Sequence, residues 1–588
     1  MASLKDMRFI IHDVLDTEGH LASLGVDASC DRAFIDAVLD EAFKFTDGEL
    51  KPLNASGDRE GCTLKDGVVT TPAGFREAYR GYIAGGWAGL VGPTEYGGQA
   101  LPPTFGLMLE ELICTANMAF AMYPGLSRGC MHALIAHGSE AQKQHFLTRL
   151  LTGEWTGTMC LTEPHAGSDV GLARTKAEPR ADGTWSITGT KIFISAGEHD
   201  LSDNIVHLVL ARTEGAPAGT RGISMFVVPK IDLDGSRNSV VCGAIEEKMG
   251  IHGNATCVLN FDAAHGYLVG EENAGMKYMF TMMNTARLGV GLQGVCLAQR
   301  GFEASSGYAR ERLQMRSLTG PKAPDKPADP ILVHPDVRRM LMAQRAFIEG
   351  GRALCYYANQ CVDILEMGAD AERRQRAGEL LDFLTPIVKG FLTEWGFTSV
   401  NEAVQIFGGH GFIRETGVEQ YVRDSRITLI YEGTTQIQGL DLLARKVMMT
   451  QGKGLTHFIG EMQQAAAECR AELPELATTL EVIIAEWPAL SMQIGAKAMA
   501  NPDEVGAASV DYLFYSGYAV LATMWARMAV TARRRLAEGV DDAYFAAKID
   551  LARYYHARIV PKMAGHKAAM LTGSDNLMQV NDAVFTAD

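Results

Sequence analysis

Three segments carry residues whose types and order could do chemistry. In the first, Cys160-Leu161-Thr162-Glu163-Pro164-His165-Ala166-Gly167-Ser168-Asp169, a strand pattern stops at a proline and enters a Gly-Ser-Asp turn. Such a turn can aim backbone N–H groups and hydroxyls at an anion or at the polar edge of a ring, although Gly-Ser-Asp also makes ordinary turns. In the second, a carboxylate, Glu432, follows Leu429, Ile430 and Tyr431 and precedes Gly433-Thr434-Thr435-Gln436. A carboxylate in apolar surroundings has a raised pKa, which suits a general base. The same Glu could equally join a structural network with Arg423, Asp424 and Arg426. In the third, Val404–Phe412, glycines at 408, 409 and 411 permit close backbone approach to a ligand or a tight helix end.

These segments need elements to hold them, and the chain changes texture along its 588 residues. Up to about 155 the pattern is helical; Phe34, Val38, Ala42 and Phe45 recur at helical spacing and predict one buried face. From 156 to 270, short runs rich in β-branched and aromatic residues, punctuated by pairs such as Asp182-Gly183, predict a compact β domain without intervening helices. Helices return from 271 to 450. They are interrupted between Arg316 and Pro335 by a loop with prolines at 321, 324, 327, 330 and 335, expected to be a solvated insertion. A last helical zone runs from 451 to 588, with Gly452–Gly454 as the expected hinge. The Met276, Met279, Met282 and Met283 stripe reads as core packing.

Composition narrows the function classes. The chain is 47% hydrophobic and 21% charged, with a formal net charge of -16, which suits an ordered globular protein and argues against a nucleic-acid footprint. Eleven cysteines show no CxxC pair, as expected of reduced thiols in a cytoplasmic protein. The Met1–Asp16 stretch shows no secretory pattern, and the apolar run Tyr512–Ala526 is shorter than a membrane span, so a buried helix is expected there. No G-x-G-x-x-G follows a strand and opens a helix, so a Rossmann reading has no anchor.

Taken together, Thr162–Asp169, Lys248–Gly253, Gly270–Gly275, Gln405–Phe412 and Arg423–Gln436 occur in the order and spacing of the acyl-CoA dehydrogenase family, which the chain resembles over roughly residues 30–450. The resemblance implies an α+β fold: an N-terminal helical domain (1–155), a β-barrel-like middle domain (156–270) and a helical-bundle domain (271–450), here with an additional helical domain (451–588). It implies FAD as cofactor and oxidation of an acyl-CoA thioester to the 2,3-enoyl-CoA. Glu432 is then the base that removes the α-proton, while a hydride leaves the β-carbon for the flavin. Its backbone N–H and a hydroxyl of the cofactor steady the thioester oxygen. Family members that carry the base elsewhere place it just before the arginine matching Arg287; Ala286 stands there and cannot take a proton.

The resemblance places Met159, Leu161 and Thr162 beside the flavin, and Gly167 and Ser168 near the diphosphate. Phe193 and Ser195 fall in a segment that usually carries Trp, so Phe193 departs from the pattern at the surface facing the electron acceptor. Arg312 and Gln314, with Gln405, Gly408 and Gly409, match segments that reach the FAD of a neighbouring subunit. Met315-Arg316 replaces the expected Phe-Gly there. Thr434 and Gln436 match further FAD contacts. Asn284, Arg287, Tyr431 and the Ser168 turn match positions along the substrate. The implied partners are an electron-transferring flavoprotein and a second subunit, in a homodimer or dimer of dimers, without nucleic acid or integral membrane association. The segment ending at His199 and the Met7–Ile11 region look more like bacterial members that oxidise 3-methylmercaptopropionyl-CoA in dimethylsulfoniopropionate breakdown than like membrane-associated very-long-chain members. A medium- or long-chain fatty acyl-CoA dehydrogenase, an acyl-CoA oxidase and a non-catalytic flavoprotein of this fold are the competing readings.

Overall fold

The computed structural model describes residues 4–540 and 542–586, without the side chains of Asn284 and Asp542. Two units divide the backbone: residues 37–289, and residues 1–36 together with 290–588. In the first unit a short hairpin, β1 (Thr63–Lys65) and β2 (Val68–Thr70), precedes seven strands. These are β3 (Trp155–Cys160), β4 (Lys176–Pro179), β5 (Trp185–Ser195), β6 (Asn204–Thr213), β7 (Ser224–Pro229), β8 (Val240–Ile245) and β9 (Thr256–Leu268). Pairing runs β6–β4–β5–β9–β7 and returns from β7 to β6, so these strands close on themselves; β3 lies parallel to β6, and β8 pairs β9. Closure removes exposed sheet edges, which explains how a domain of short strands stands without covering helices between them. The hairpin, β4 and β8 were not read from the sequence.

β6 is buried on both faces, and its two-residue period sorts it between two cores. Val206, Leu208 and Leu210 face a core with Met131, Leu134, Met279 and Met282, whereas Val209 and Ala211 join Ile187, Phe226 and Phe261 in the barrel interior. Met276 and Met283 pack at the margin of the first core, so the methionine stripe is packing, as expected. Two helices of this unit matter for the site, α1 (Pro103–Ala116) and α2 (Met118–His137). Pro103 opens α1, where its missing N–H costs nothing, and the Asn117 side chain caps α2 by accepting from Phe120 N–H. Within α2, Gly125-Leu126-Ser127-Arg128-Gly129 spells a Gly-x-Ser-x-Gly pattern that the sequence reading missed. It lies inside a helix rather than at a strand-to-helix elbow, and Ser127 Oγ donates to Tyr123 O and accepts from Gly157 N–H.

The unit boundary falls inside α3 (Gly275–Glu311). The second unit then carries α4 (Pro335–Met367), α5 (Ala371–Phe407), α6 (Val418–Arg426), α7 (Thr435–Leu440), α8 (Lys453–Cys469), α9 (Pro474–Ala500), α10 (Asp503–Ala537) and α11 (Asp542–Tyr554). The run Tyr512–Ala526 is the buried middle of α10, and no helix among the described residues is long and apolar enough to cross a membrane. α5, α7 and α10 pack with glycine contacts: a Cβ on Gly390 would stand 2.6 Å from Leu513 Cδ2, and one on Gly439 would stand 2.7 Å from Ser509 O. The N-terminal segment belongs to this unit. Lys548, fully buried, donates to Asp6 and to Glu349 Oε2 at 2.5 Å. Burial alone would raise the Asp6 carboxyl, but Lys548 and Arg352 hold it well below the usual range.

One expectation is corrected. The helix at Arg32–Phe45 buries Ile35, Leu39 and Ala42, whereas Phe34 is exposed, so the buried stripe lies one residue round from the predicted face. The proline-rich loop is exposed over 318–322 and 324–327, as expected of a solvated insertion, but it is ordered from within. It folds round the fully buried carboxylate of Asp329, which accepts from Ser317 N–H (2.9 Å), Lys322 N–H (2.9 Å), Ala323 N–H (2.7 Å) and Arg316 (3.2 Å). Burial pushes that carboxyl up, but the three amides outweigh it and bring it to about 2. At the expected hinge, Gly452 opens α8 with φ 69°, and a Cβ on Gly454 would stand 2.5 Å from Phe383 Cβ, so the first turn of α8 is seated directly on α5.

Candidate active site

The sequence-predicted residues fall in both units. In the barrel unit, β3 ends at Cys160 and delivers Leu161 and Thr162, and Met159 pairs with Leu208 on β6. Ile192 N–H donates to Thr162 O at 2.9 Å, tying this exit to β5. The β5–β9 register slips between Lys191 and Ile194, and Phe193 sits in that bulge with φ 57°. A bulge re-aims a side chain; the Phe193 ring is accordingly 59% exposed, with the Ser195 side chain half-buried beyond it. Gly167 and Ser168 form an exposed turn, and a Cβ added at Gly167 would meet no atom within 4 Å.

Two residues missed as functional hold this segment. Lys191, fully buried, donates to Leu161 O (3.0 Å) and to Glu163 Oε1 (2.9 Å). Glu163 also accepts from Arg174 N–H, Thr175 N–H and the Thr175 hydroxyl. Burial would raise the Glu163 carboxyl, but Lys191 and these donors hold it at about 2, while burial draws the Lys191 ammonium below the usual lysine value. Alternation groups Lys191 with Gly189, the exposed Phe193 and Ser195, so the strand pattern gave no sign of its burial.

Arg287 is buried in this unit, with its guanidinium 6.0 Å from the Phe280 ring centre, a cation held in an acidic chain. The Asn284 side chain lies outside the described residues. A narrow cavity between α1 and α2, lined by Leu109, Ile113, Ala121 and Pro124, is crossed by an ion pair between Arg128 and Glu110. A Cβ on Gly289 of α3 would stand 2.5 Å from Glu110 Oε1, so α3 closes on that pair.

In the helical unit, Glu432 has φ 56° and Gly433 φ 94°. The left-handed region is uncommon for a side chain such as Glu, and surrounding bonds over-determine it here. Gln438 Nε2 donates to Glu432 O at 2.9 Å, and Lys389 Nζ donates to Gly433 O at 2.6 Å. A side chain at 433 would meet Gln438 Nε2 at 2.8 Å, so the position calls for glycine on both counts. Thr434 caps α7 by accepting from Ile437 N–H, and Thr435 donates to Glu394 Oε1 at 2.5 Å. The Tyr431 hydroxyl donates to Gln293 Oε1, Gln436 is exposed, and Glu432 Oε2 is shielded from solvent.

The remaining residues gather elsewhere. α5 ends at Phe407, with Gly408 N–H bonded to Gln405 O and Gly408 at φ 61°, so the helix-end reading of these glycines holds. Tyr308 stacks on Phe407 with ring centres 4.2 Å apart and lies 3.0 Å from His410 Nδ1, which brings the end of α3, with Arg312 and Gln314, to Gln405, Gly408 and Gly409. Gln314 is fixed by Gln314 N–H to Asp329 O, at the root of the proline-rich loop. Sixteen residues of α5 separate Gln405 from Lys389, about 24 Å at 1.5 Å per residue. The Gln405 and Glu432 groups therefore cannot serve the same reacting atoms.

Family models match in the same order: acyl-CoA dehydrogenase N-terminal domain at 35–154, middle domain at 158–264, C-terminal domain at 273–448, and an acetyl-CoA dehydrogenase C-terminal-like domain at 458–581. The chain is 43% identical over 557 residues to a 3-methylmercaptopropionyl-CoA dehydrogenase of Ruegeria pomeroyi, covering 92% of this chain and 93% of that one. The chain belongs to the acyl-CoA dehydrogenase family. The dehydrogenase is also 33% identical to a broad-specificity linear acyl-CoA dehydrogenase, FadE5, of Mycobacterium tuberculosis, with 99% of each chain covered. It shares its fold with an acyl-CoA dehydrogenase of Bacillus anthracis solved with FAD, at TM-score 0.75 and 22% identity over 92% of this chain and 89% of that one.

The dehydrogenase is a flavin oxidoreductase acting on CH–CH bonds, with FAD as cofactor. Its residues fit the group. Thr162, Ser168 and Ser195 offer hydroxyls, Gly167 leaves its turn open to close approach, and the exposed Phe193 ring offers a face for packing. Arg312 supplies a guanidinium suited to a diphosphate.

Proposed function

We propose that Glu432 is the base of this dehydrogenase and that its substrate is 3-(methylthio)propanoyl-CoA, oxidised to 3-(methylthio)acryloyl-CoA in dimethylsulfoniopropionate breakdown. The observation that carries the base is the clamped Tyr431–Thr434 turn: it fixes the peptides following Glu432 and leaves the carboxylate half-buried, with one oxygen shielded from solvent. FAD, when bound, would supply the acceptor for the hydride that leaves the β-carbon. Glu432 takes the α-proton, and its N–H donates to the thioester oxygen as charge develops there. Tyr431, Asn284, Arg287 and Ser168 hold the thioester and the CoA arm. Met159, Leu161, Thr162, Gly167, Ser168, Phe193, Ser195, Thr434 and Gln436 hold the cofactor. Glu432→Gln should keep the yellow flavin and abolish turnover; near-normal activity would sink the assignment.

The identity with the Ruegeria enzyme supports the substrate. The specificity constant should be highest for 3-(methylthio)propanoyl-CoA among thioesters from butanoyl- to palmitoyl-CoA; a strong preference for palmitoyl-CoA would refute it.

Electrons then pass to an electron-transferring flavoprotein. Each FAD site draws on two subunits, in a homodimer or dimer of dimers, with Arg312, Gln314, Gln405, Gly408 and Gly409 reaching the partner's cofactor; the 24 Å spacing along α5 supports this division. The chain is organised as domains 1–155, 156–270, 271–450 and 451–588. It works in the cytoplasm, a reading supported by its eleven free thiols.

A further inference from the structure

We propose that Lys389 is a positioning residue for Glu432, acting through the backbone that sets the carboxylate's direction; the inference rests on the reading of Glu432 as the base. Lys389 lies near the middle of α5 and is fully buried. Taking an ammonium out of water is costly, and a buried lysine persists where strong acceptors meet it. Here it meets Gly433 O at 2.6 Å. Gln438 Nε2 meets the preceding carbonyl, Glu432 O, at 2.9 Å. The two donors grip successive peptides on the carboxyl side of Glu432. Its left-handed conformation is set between them.

α5 supplies this grip as one face. Lys389 and Gly390 lie one turn from Thr393 and Glu394. A Cβ at Gly390 would stand 3.0 Å from Gln438 Cβ, and Glu394 accepts from the Thr435 hydroxyl. Thr393 donates to Lys389 O at 2.8 Å and sits fully buried. A long, buried helix is a rigid support, and a carboxylate that must meet one carbon-bound proton needs such support within about half an ångström. Gln438 comes from the short α7 and can follow the turn if it moves. Lys389, anchored on α5, ties the turn to the body of the unit.

The test uses the FAD-loaded full chain and two variants, Lys389→Met and Lys389→Gln. Two reactions are followed: oxidation of butanoyl-CoA, and exchange of α-hydrogens into deuterated water by 3,3-dimethylbutanoyl-CoA. The second thioester has no β-hydrogen, so it reports proton abstraction without oxidation. Lys389→Met should lower kcat and the exchange rate about 100-fold, the effect of a misplacement near 1 Å, with KM within about twofold and FAD content unchanged. Lys389→Gln, which keeps an N–H donor, should recover part of both rates. Parent-like exchange in Lys389→Met would overturn the proposal. Loss of FAD binding in both variants would also overturn it, in favour of a purely structural role. Glu432→Gln run in parallel separates the two readings. If it still exchanges, Glu432 is not the base. If it is inert while Lys389→Met is normal, only the role of Lys389 falls.

Discussion

Replacing Gly517 by alanine adds one methyl group where α10 crosses α5, and the structure gives the size of the effect. The new Cβ would lie about 1 Å inside ordinary contact with Phe391 Cγ, Cδ1 and Cδ2. The ring has nowhere to retreat. Phe391 is fully buried, with Tyr518 at 5.0 Å between ring centres, Phe514 at 6.0 Å and Trp395 at 6.5 Å, and Trp395 Nε1 is bonded to the Tyr518 hydroxyl. Overpacking of this kind costs about 1–3 kcal/mol, and rigid aromatic neighbours on every side put it at the upper end. Alanine returns about 1 kcal/mol of helix propensity over glycine. The net is a loss of about 2 kcal/mol, which should lower Tm by about 2 °C in a chain of this length. The assay is calorimetry of the FAD-bound chain beside the parent. Activity gives a second readout, because Phe391 lies two residues beyond Lys389 on α5, and a displaced ring pushes the helix that grips the Glu432 turn. A Tm equal to or above the parent's would refute the packing argument, since propensity alone would then have decided the outcome.

Glu163→Gln should lower Tm at neutral pH by stranding the buried Lys191 ammonium. It should also flatten the acid limb: Glu163 titrates near 4.5 when unfolded and near 2 when folded, so its contribution is present above the higher value and fades as pH falls towards the lower. A Tm–pH profile parallel to the parent's between those values would count against it. Asp329→Asn should open the 316–335 loop to limited proteolysis, because its NH2 must replace either Oδ2, which accepts from Ser317 N–H, or Oδ1, which accepts from Arg316, Lys322 N–H and Ala323 N–H; unchanged cleavage would mean that one acceptor suffices to order the loop.

Much of the architecture was legible because its signals are local. The apolar, β-branched run of Ile205–Arg212, the break at Pro164 and the helical methionine stripe each follow from neighbouring residues alone. What stayed hidden depends on partners remote in the chain. Asp329 reads as one more polar residue of a proline-rich loop until three amides from 317–323 converge on it. Lys191 and Lys389 drew no functional reading, yet each is buried and bonded to a carbonyl in a predicted site segment. A signal for Lys389 was present: it is flanked by Ile387 and Val388 on one side and Phe391 and Leu392 on the other, and an isolated cation in so apolar a run should have prompted a search for its acceptor. The face of Arg32–Phe45 was misplaced for a simpler reason. Apolar residues occur all round that helix, and periodicity could not choose between Phe34 and Ile35.

The packing of α10 against α5 and α7 bears on how such a chain could be cut or recombined. Family models change over between 448 and 458, which invites a shortened enzyme that stops there. Such a fragment would lay bare the glycine notches at 390 and 439 and the ring of Phe391, an apolar trench cut to receive α10, and should be insoluble or borrow another chain to fill it. A chimera that keeps α5 from this protein must therefore inherit α10 with it. The unit of exchange is the interlocked set of helices, and the linear boundary near 450 marks only where one stretch of sequence gives way to the next.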